Sequence, residues 1–259
     1  MKKNKNKNKN KKIKVAITLL YCLALIFAAI PFAKYFAIAT HAQLTTVQET
    51  KTLPTIIPDA QPLQAPQVQD VLAAAGNQDR QAVGQVVIPK VDISQPIFVG
   101  LTLVNMGNGT VSLFPNRTPD KNSLTIIGHH LGFTTLLFGR IKELVQGDMV
   151  YVRYLGQYYQ YEVQTSEVIN ENQVDKLVDK GPDWLFLLTC EVSFESPERV
   201  FVRAKRVDTK PQEVGQAMEV FTQKASNTKI KNYLFLFILP IILVIIFSIL
   251  FLRYVWKKL

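Results

Sequence analysis

Two cysteines occur in the 259 residues, Cys22 and Cys190. Cys22 lies inside a long apolar run, so Cys190, near the end of "WLFLLTCEV", is the single thiol between the two apolar ends of the chain. A thiol with its ordinary pKa of about 8.5 is mostly protonated at neutral pH, and attack on a carbonyl requires a base or a cation that favours thiolate. There are three histidines, and two of them, His129 and His130, stand together at the end of "NSLTIIGHH". Arg199 opens "RVFVRAKRV" nine residues beyond the cysteine and offers a permanently charged donor fork of the kind an oxyanion needs. A thiol, an imidazole and a guanidinium make an acyl-transfer set. The other reading is structural: a small buried cysteine, satisfied histidines and a solvated charge at a strand edge. Composition leaves both open.

Whichever holds, the elements that carry these residues read as strands. "GQVVIP", "QPIFVGL", "GTVSLF", "NSLTIIGH", "DMVYVRYL", "YYQYEVQTSEVI", "WLFLLTCEV" and "RVFVRAKRV" are short, rich in β-branched and aromatic residues, and bounded by Gly, Pro, Asn or Asp. Eight evenly spaced strands predict a mainly β fold, a closed barrel or a sandwich, over residues 84–207. "LLFGRIKEL" predicts a helical turn and "NENQVDKLVDK" a short loop helix. If the last two strands form a hairpin across "SFESPE", Arg199 returns to the neighbourhood of Cys190. No internal repeat and no GxGxxG appear.

The two ends belong to another class. Val15 to Ala33 gives nineteen uncharged residues and Tyr233 to Leu252 twenty, each close to the roughly 20 that span a bilayer as a helix. The formal net charge is +10, and eight lysines fall in the first 14 residues. Beside a membrane span such a run follows the positive-inside rule and is expected in the cytoplasm, which argues against a nucleic-acid arm. The expected order is a basic tail (1–14), a transmembrane signal anchor (15–40), an exported linker (41–83), the β domain (84–207), a second linker (208–232), a second span (233–252) and a short tail (253–259). Both termini then lie inside and the β domain outside. A cleaved signal peptide is disfavoured because the apolar run exceeds the usual 7 to 15 residues. The first linker carries Pro54, Pro58, Pro62 and Pro66 and reads as a spacer, with a short helix in "PQVQDVLAAAGN". In the second, Val214, Ala217, Met218 and Phe221 recur at i, i+3, i+4 and i+7, an amphipathic helix.

Taken together, "IIGHH", "FLLTC" and "PERVFVRA", in this order and beside a membrane anchor, resemble the sortase family. The resemblance extends over about Gly84 to Val207 and includes "VVIPKVDISQPIFVGLT" and "NMGNGT". It implies an eight-stranded sortase-like β-barrel with short helices, flanked by N- and C-terminal transmembrane helices. It makes Cys190 the nucleophile, His129 the general acid/base, and Arg199 the residue that holds the substrate backbone and stabilises the oxyanion. His129 is preferred to His130 because the family's histidine follows a small residue, here Gly128. Thr189 would order the substrate or the oxyanion site, and Val174, Leu177 and Val178 would line the substrate pocket.

The implied activity is that of a cysteine transpeptidase. Its substrates would be surface proteins with a C-terminal LPxTG-like sorting signal, held as a thioester and passed to an amine of a cell-wall precursor. No cofactor, no metal and no nucleic acid are expected. The exported part lacks clustered His/Cys ligands, and Asp120 alone in "FPNRTPDKNS" is too few for a calcium cage. The sequence departs from the family at Phe186, where threonine is usual, and in its second span. That span occurs in pilus-building relatives, whose Asp-Pro-aromatic lid motif is missing from 41–83, so a housekeeping, class A-like enzyme is expected. The rival readings are a cysteine hydrolase, a pilin-polymerising sortase, and an anchored β-barrel binding module without activity.

Overall fold

The computed structural model describes residues 2–44, 48–61, 81–130, 137–190 and 196–258. The chain divides into two units, one of 1–37 with 231–259 and one of 38–230.

The larger unit is built on a closed barrel of eight strands: β3 (Gly84–Ile88), β4 (Ile93–Val99), β5 (Thr110–Ser112), β6 (Leu124–Gly128), β7 (Met149–Tyr154), β8 (Gln157–Asn170), β9 (Trp184–Cys190) and β10 (Glu198–Val207). These are the eight strands expected from the sequence. Around the barrel the order is β10-β8-β7-β3-β4-β5-β6-β9, and β9 pairs with β10 to close it. The β4–β5 and β6–β9 pairs are parallel and the rest antiparallel. "LLFGRIKEL" yields a 3₁₀ turn at Ile141–Glu143, and "NENQVDKLVDK" another at Val174–Leu177.

Strand alternation sorts the apolar residues into two groups. Val86 and Ile88, Leu124 and Ile126, Val150 and Val152, Tyr161 and Val163, Leu185 and Leu187, and Val200 and Val202 fill the interior. Phe98, Val111, Ile127, Ile169, Phe186, Leu188 and Phe201 form a second buried cluster, from the alternate positions, on the outer face. β9 is therefore apolar on both faces, which is why it reads as one unbroken hydrophobic run. At roughly 1.5–3 kcal/mol for each large apolar side chain withdrawn from water, these two layers dominate the driving force for folding. Gly84 begins β3 where a Cβ would stand 1.9 Å from the carbonyl oxygen of Arg153, so only glycine lets β7 approach that closely.

Three features go beyond the sequence reading. Leu103–Asn108 forms a short helix, α2, whose N-cap Thr102 accepts a hydrogen bond from the Asn105 backbone at 3.1 Å. Residues 48–61, within the stretch expected as a spacer, run along the barrel. There β1 (Gln48–Glu49) pairs with β2 (Gln81–Ala82), Glu49 forms an ion pair with Arg153, and Leu53 and Ile57 pack against the interior cluster. The helix expected within "PQVQDVLAAAGN" lies outside the described residues. The amphipathic stretch of the second linker is part of a 23-residue helix, α3 (Pro211–Tyr233). It buries Val214 and Met218 against Val87, Tyr151 and Tyr158, and Phe221 stacks on Tyr151 at 5.9 Å between ring centroids. At its flank Gln85 donates to Thr222 at 3.2 Å, and Lys224 lies 3.8 Å from Asp92.

The smaller unit pairs the first helix, α1 (Lys2–Leu44), with the last, α4 (Leu239–Lys258), which is entered through a π-helical turn at Leu234–Ile238. Both are long and apolar enough to cross a membrane. They run antiparallel: Lys14 donates to the Trp256 carbonyl at 2.9 Å, Tyr21 hydrogen-bonds Ser248 at 2.8 Å, and Phe32 meets Phe237 at 5.6 Å. Polar pairs of this kind stabilise helix contacts where lipid offers no alternative partner.

Docking of α3 gives a direct test. Met218→Ala is expected to destabilise the barrel unit by about 2 kcal/mol, the low end for a buried Met-to-Ala truncation. Val220→Ala, on the exposed face of the same helix, is expected to change stability by less than about 0.5 kcal/mol. Denaturant unfolding of the two variants measures the difference.

Candidate active site

β9 lies between β6 and β10, and it brings the three chemistry-bearing residues together. On one side Arg199 is the direct cross-strand partner of Cys190. On the other side the last parallel pair is Ile127 with Leu188, and two residues further along the chain stand His129, just beyond the end of β6, and Cys190, at the end of β9. Ile127, Leu188 and Phe201 all belong to the outer cluster, so a period of two puts His129, Cys190 and Arg199 on that same face. Alternation leaves His129 and His130 equivalent in the bare sequence; continued from Ile127, it puts His129 on the outer face.

His129 is buried and anchored through its main chain. The Phe138 amide donates to its carbonyl at 3.1 Å, and His130 bridges to Leu137. The glycine before it has a physical cause: a Cβ on Gly128 would stand 2.8 Å from the Phe138 ring and 3.1 Å from the Thr110 methyl. A larger residue there would displace the ring or the strand end that carries the imidazole.

Cys190 is half-buried. Burial pushes its thiol up from the ordinary value, the Arg199 charge pulls it down, and Glu171 pushes it up again. Burial is the largest of these influences, so the net direction is upward, toward the neutral thiol. The Arg199 side chain is nine-tenths buried, and its guanidinium is held by the carbonyls of Ser196 and Glu198 and by an ion pair to Glu171.

Thr189 does not join this face. Its side chain turns toward the barrel interior, 2% exposed, and its hydroxyl has no hydrogen-bond partner among the described residues. Adjacent residues of a strand point to opposite sides, so of Thr189 it is the main chain that lies beside the cysteine. Val174, Leu177 and Val178 lie in the loop between β8 and β9. Val174 and Val178 are exposed, at 68% and 58%, and Leu177 packs against the outer cluster that leads to the thiol.

This loop is pinned to the barrel. Arg117 donates to the Leu177 carbonyl at 3.0 Å, and Asp179 accepts from the Ser123 amide at 2.7 Å, the Asn122 side chain at 2.6 Å and the Gly181 amide at 2.9 Å. These donors, the Ser123 amide foremost, hold the Asp179 carboxyl well below the usual carboxylate range. Neither Asp179 nor Glu171 was singled out by sequence reasoning, since an acid in a polar loop has no signature until its partners are known. The Asn170-Glu171-Asn172 turn, in which Asn172 donates to the Asn170 side chain at 3.0 Å, was the available signal.

A carboxylate with a depressed folded value contributes stability above its unfolded value, and that contribution disappears as pH falls through the folded one. Asp179→Ala is therefore expected to lower the melting temperature by a constant amount above about pH 5. Below about pH 4, the unfolded value, the difference is expected to shrink progressively, and a part of it should persist at pH 2.5 because the folded value lies lower still. Melts recorded from pH 7 to pH 2.5 check this.

With the geometry established, comparison with known proteins gives a consistent result. Residues 86–207 match the family model described as the sortase domain. Among individual relatives, Sortase A of Listeria monocytogenes is 28% identical over 142 residues, 54% of this chain and 64% of the relative. Sortase A of Bacillus anthracis is 26% identical over 152 residues, 59% of this chain and 72% of the relative. The chain thus spans slightly less than two thirds of the Listeria protein. Among solved structures, L. monocytogenes sortase A aligns with a TM-score of 0.47 at 26% identity, covering 49% of this chain and 88% of that one. Streptococcus agalactiae sortase C1 aligns with a TM-score of 0.46 at 26% identity, covering 51% and 71%. Over residues 86–207, the whole of the barrel except its first two residues, this chain is similar to the sortase family.

Proposed function

We propose that the chain is a membrane-anchored cysteine transpeptidase of the housekeeping, class A-like kind. It would cleave an LPxTG-like sorting signal of surface proteins and transfer the acyl part to an amine of a cell-wall precursor. The observation that carries the reading is the register of β9, in which Cys190 is paired directly with Arg199 and β9 lies beside β6, the strand that His129 follows.

In this reading His129 takes the thiol proton as Cys190 sulfur attacks the scissile carbonyl, so a C–S bond forms and the carbonyl becomes a tetrahedral oxyanion. Arg199 donates to that oxygen, and a planar, permanently charged fork in a site withdrawn from water is suited to the task. Collapse breaks the C–N bond, the imidazolium returns its proton to the departing amine, and a thioester remains on Cys190. The acceptor amine attacks the thioester and loses its proton to His129, forming the new amide and restoring the thiol. Val174, Leu177 and Val178 line the approach of the peptide. Two apolar terminal helices are consistent with membrane anchoring, and the lysine-rich first 14 residues favour an orientation with both termini in the cytoplasm and the barrel outside. Similarity to proteins named Sortase A supports the class A-like assignment.

The test is turnover of a fluorescent LPxTG peptide with and without an oligoglycine amine. The wild type is expected to form the acyl-amine product. Cys190→Ala is expected to abolish it by at least about 10³-fold without loss of fold, and Arg199→Lys to reduce kcat/KM by about 10²-fold, because a point charge lacks the fork. Cleavage without any amine adduct would reassign the protein as a hydrolase. Cleavage undiminished in Cys190→Ala would remove the enzymatic reading.

A further inference from the structure

The guanidinium of Arg199 is held on three sides, and two of its partners are main-chain carbonyls next to it in sequence, Ser196 and Glu198. The third is Glu171, 28 residues earlier, at the start of the loop after β8. The fold brings Glu171 there in two steps. The β8–β10 register pairs Asn170 with Glu198, so the next residue of β8's exit faces Pro197, and the Glu171 amide donates to the Pro197 carbonyl at 2.8 Å. The turn behind it is fixed by its own side chains, with the Asn170 amide donating to Gln173 at 2.9 Å. A carboxylate so placed, about half exposed, meets a guanidinium that is nine-tenths buried.

A buried charge requires a partner, and removing one member of such a pair costs more than the pair contributes. The carboxylate does more than neutralise here. A guanidinium has five N–H donors in a rigid plane, so fixing acceptors on both terminal nitrogens fixes the directions of the remaining donors. We propose that Glu171 is a positioning residue for acyl transfer: it locks the plane of the Arg199 guanidinium so that the donors left over serve the carbonyl attacked by Cys190. The inference rests on the role given to Arg199 in the proposed function. It also gives the loop of Val174, Leu177 and Val178 a second task, because the segment that lines the peptide approach begins at the carboxylate holding the arginine and is latched at its far end by Asp179.

The charged and titratable groups around the thiol, among the described residues, are Arg199 from β10, Glu171 from the β8–β9 loop, and His129 and His130 at the end of β6, the strand beside β9. Glu171 opposes the influence of Arg199 on the sulfur, and this separates a positioning role from a merely structural one. Removal of Glu171 should slow turnover by letting the arginine drift, yet speed simple alkylation of the thiol, because an unopposed cation favours thiolate.

The experiment uses the full-length protein in detergent micelles with Cys22→Ala as background, comparing Glu171→Ala and Glu171→Gln. For Glu171→Ala, kcat on the LPxTG peptide is expected to fall about tenfold with KM changed less than about twofold. Glu171→Gln is expected to stay within about threefold of the background kcat, since its amide oxygen still accepts from the guanidinium. In both variants the pH midpoint of iodoacetamide alkylation at Cys190 should move down. Glu171→Ala with kcat within about twofold of the background overturns the proposal, as do equal losses of kcat in the two variants with no shift in the alkylation midpoint. If the background protein turns over no such peptide, the proposed function fails, and the alkylation midpoints alone then decide: a downward shift supports the coupling of Glu171 to the site, and none overturns it.

Discussion

The pairing of β9 with two neighbours at once governs this structure. Its antiparallel bonds to β10 and parallel bonds to β6 close the barrel, and closure satisfies backbone donors and acceptors that an open sheet would leave at its edges. The same pairing fixes register, and a slip of one residue on any of the three strands would send its chemistry-bearing side chain into the apolar interior. The interior is filled by Leu185, Leu187, Val200, Val202, Leu124 and Ile126, none of which tolerates exchange for a charged group without a large penalty. Site geometry and core packing are therefore one constraint. The apolar alternation that makes the barrel stable also holds His129, Cys190 and Arg199 on a common face.

Much of this was legible in the sequence, for a definable reason. All eight barrel strands carry their own signals, in β-branched runs bounded by turn residues, and period two needs only local information. Cys190 and Arg199 could be brought together from the chain alone, because nine residues allow a hairpin. The amphipathic face of α3 was equally visible, although its length and its seat on Val87, Tyr151 and Tyr158 were not. The choice of His129 over His130 rested on resemblance; the barrel adds that Gly128 is packed against the Phe138 ring and that Ile127, two residues before His129, belongs to the outer cluster.

What escaped the sequence depends on partners distant along the chain. Glu171 and Asp179 are acids in a polar loop, and nothing local distinguishes them from solvated charges until Arg199 and Ser123 are found opposite. Residues 48–61 look like a proline-rich spacer because their few apolar residues, Leu53 and Ile57, have no periodicity; they are ordered by a surface that the barrel provides. Thr189 entered through resemblance alone; which side its hydroxyl takes depends on the barrel interior, because a pleated strand separates neighbours to opposite sides.

Closure has one more consequence. Many proteins that grip an extended polypeptide do so by accepting it as an additional strand along an exposed sheet margin, with main-chain bonds supplying affinity. A ring of eight strands with no margin forecloses that route, so a peptide at this thiol has to be gripped by side chains and connecting segments. The span from 171 to 183 lies outside every strand pairing, so on the proposed reading its length and composition could set selectivity without disturbing the barrel register.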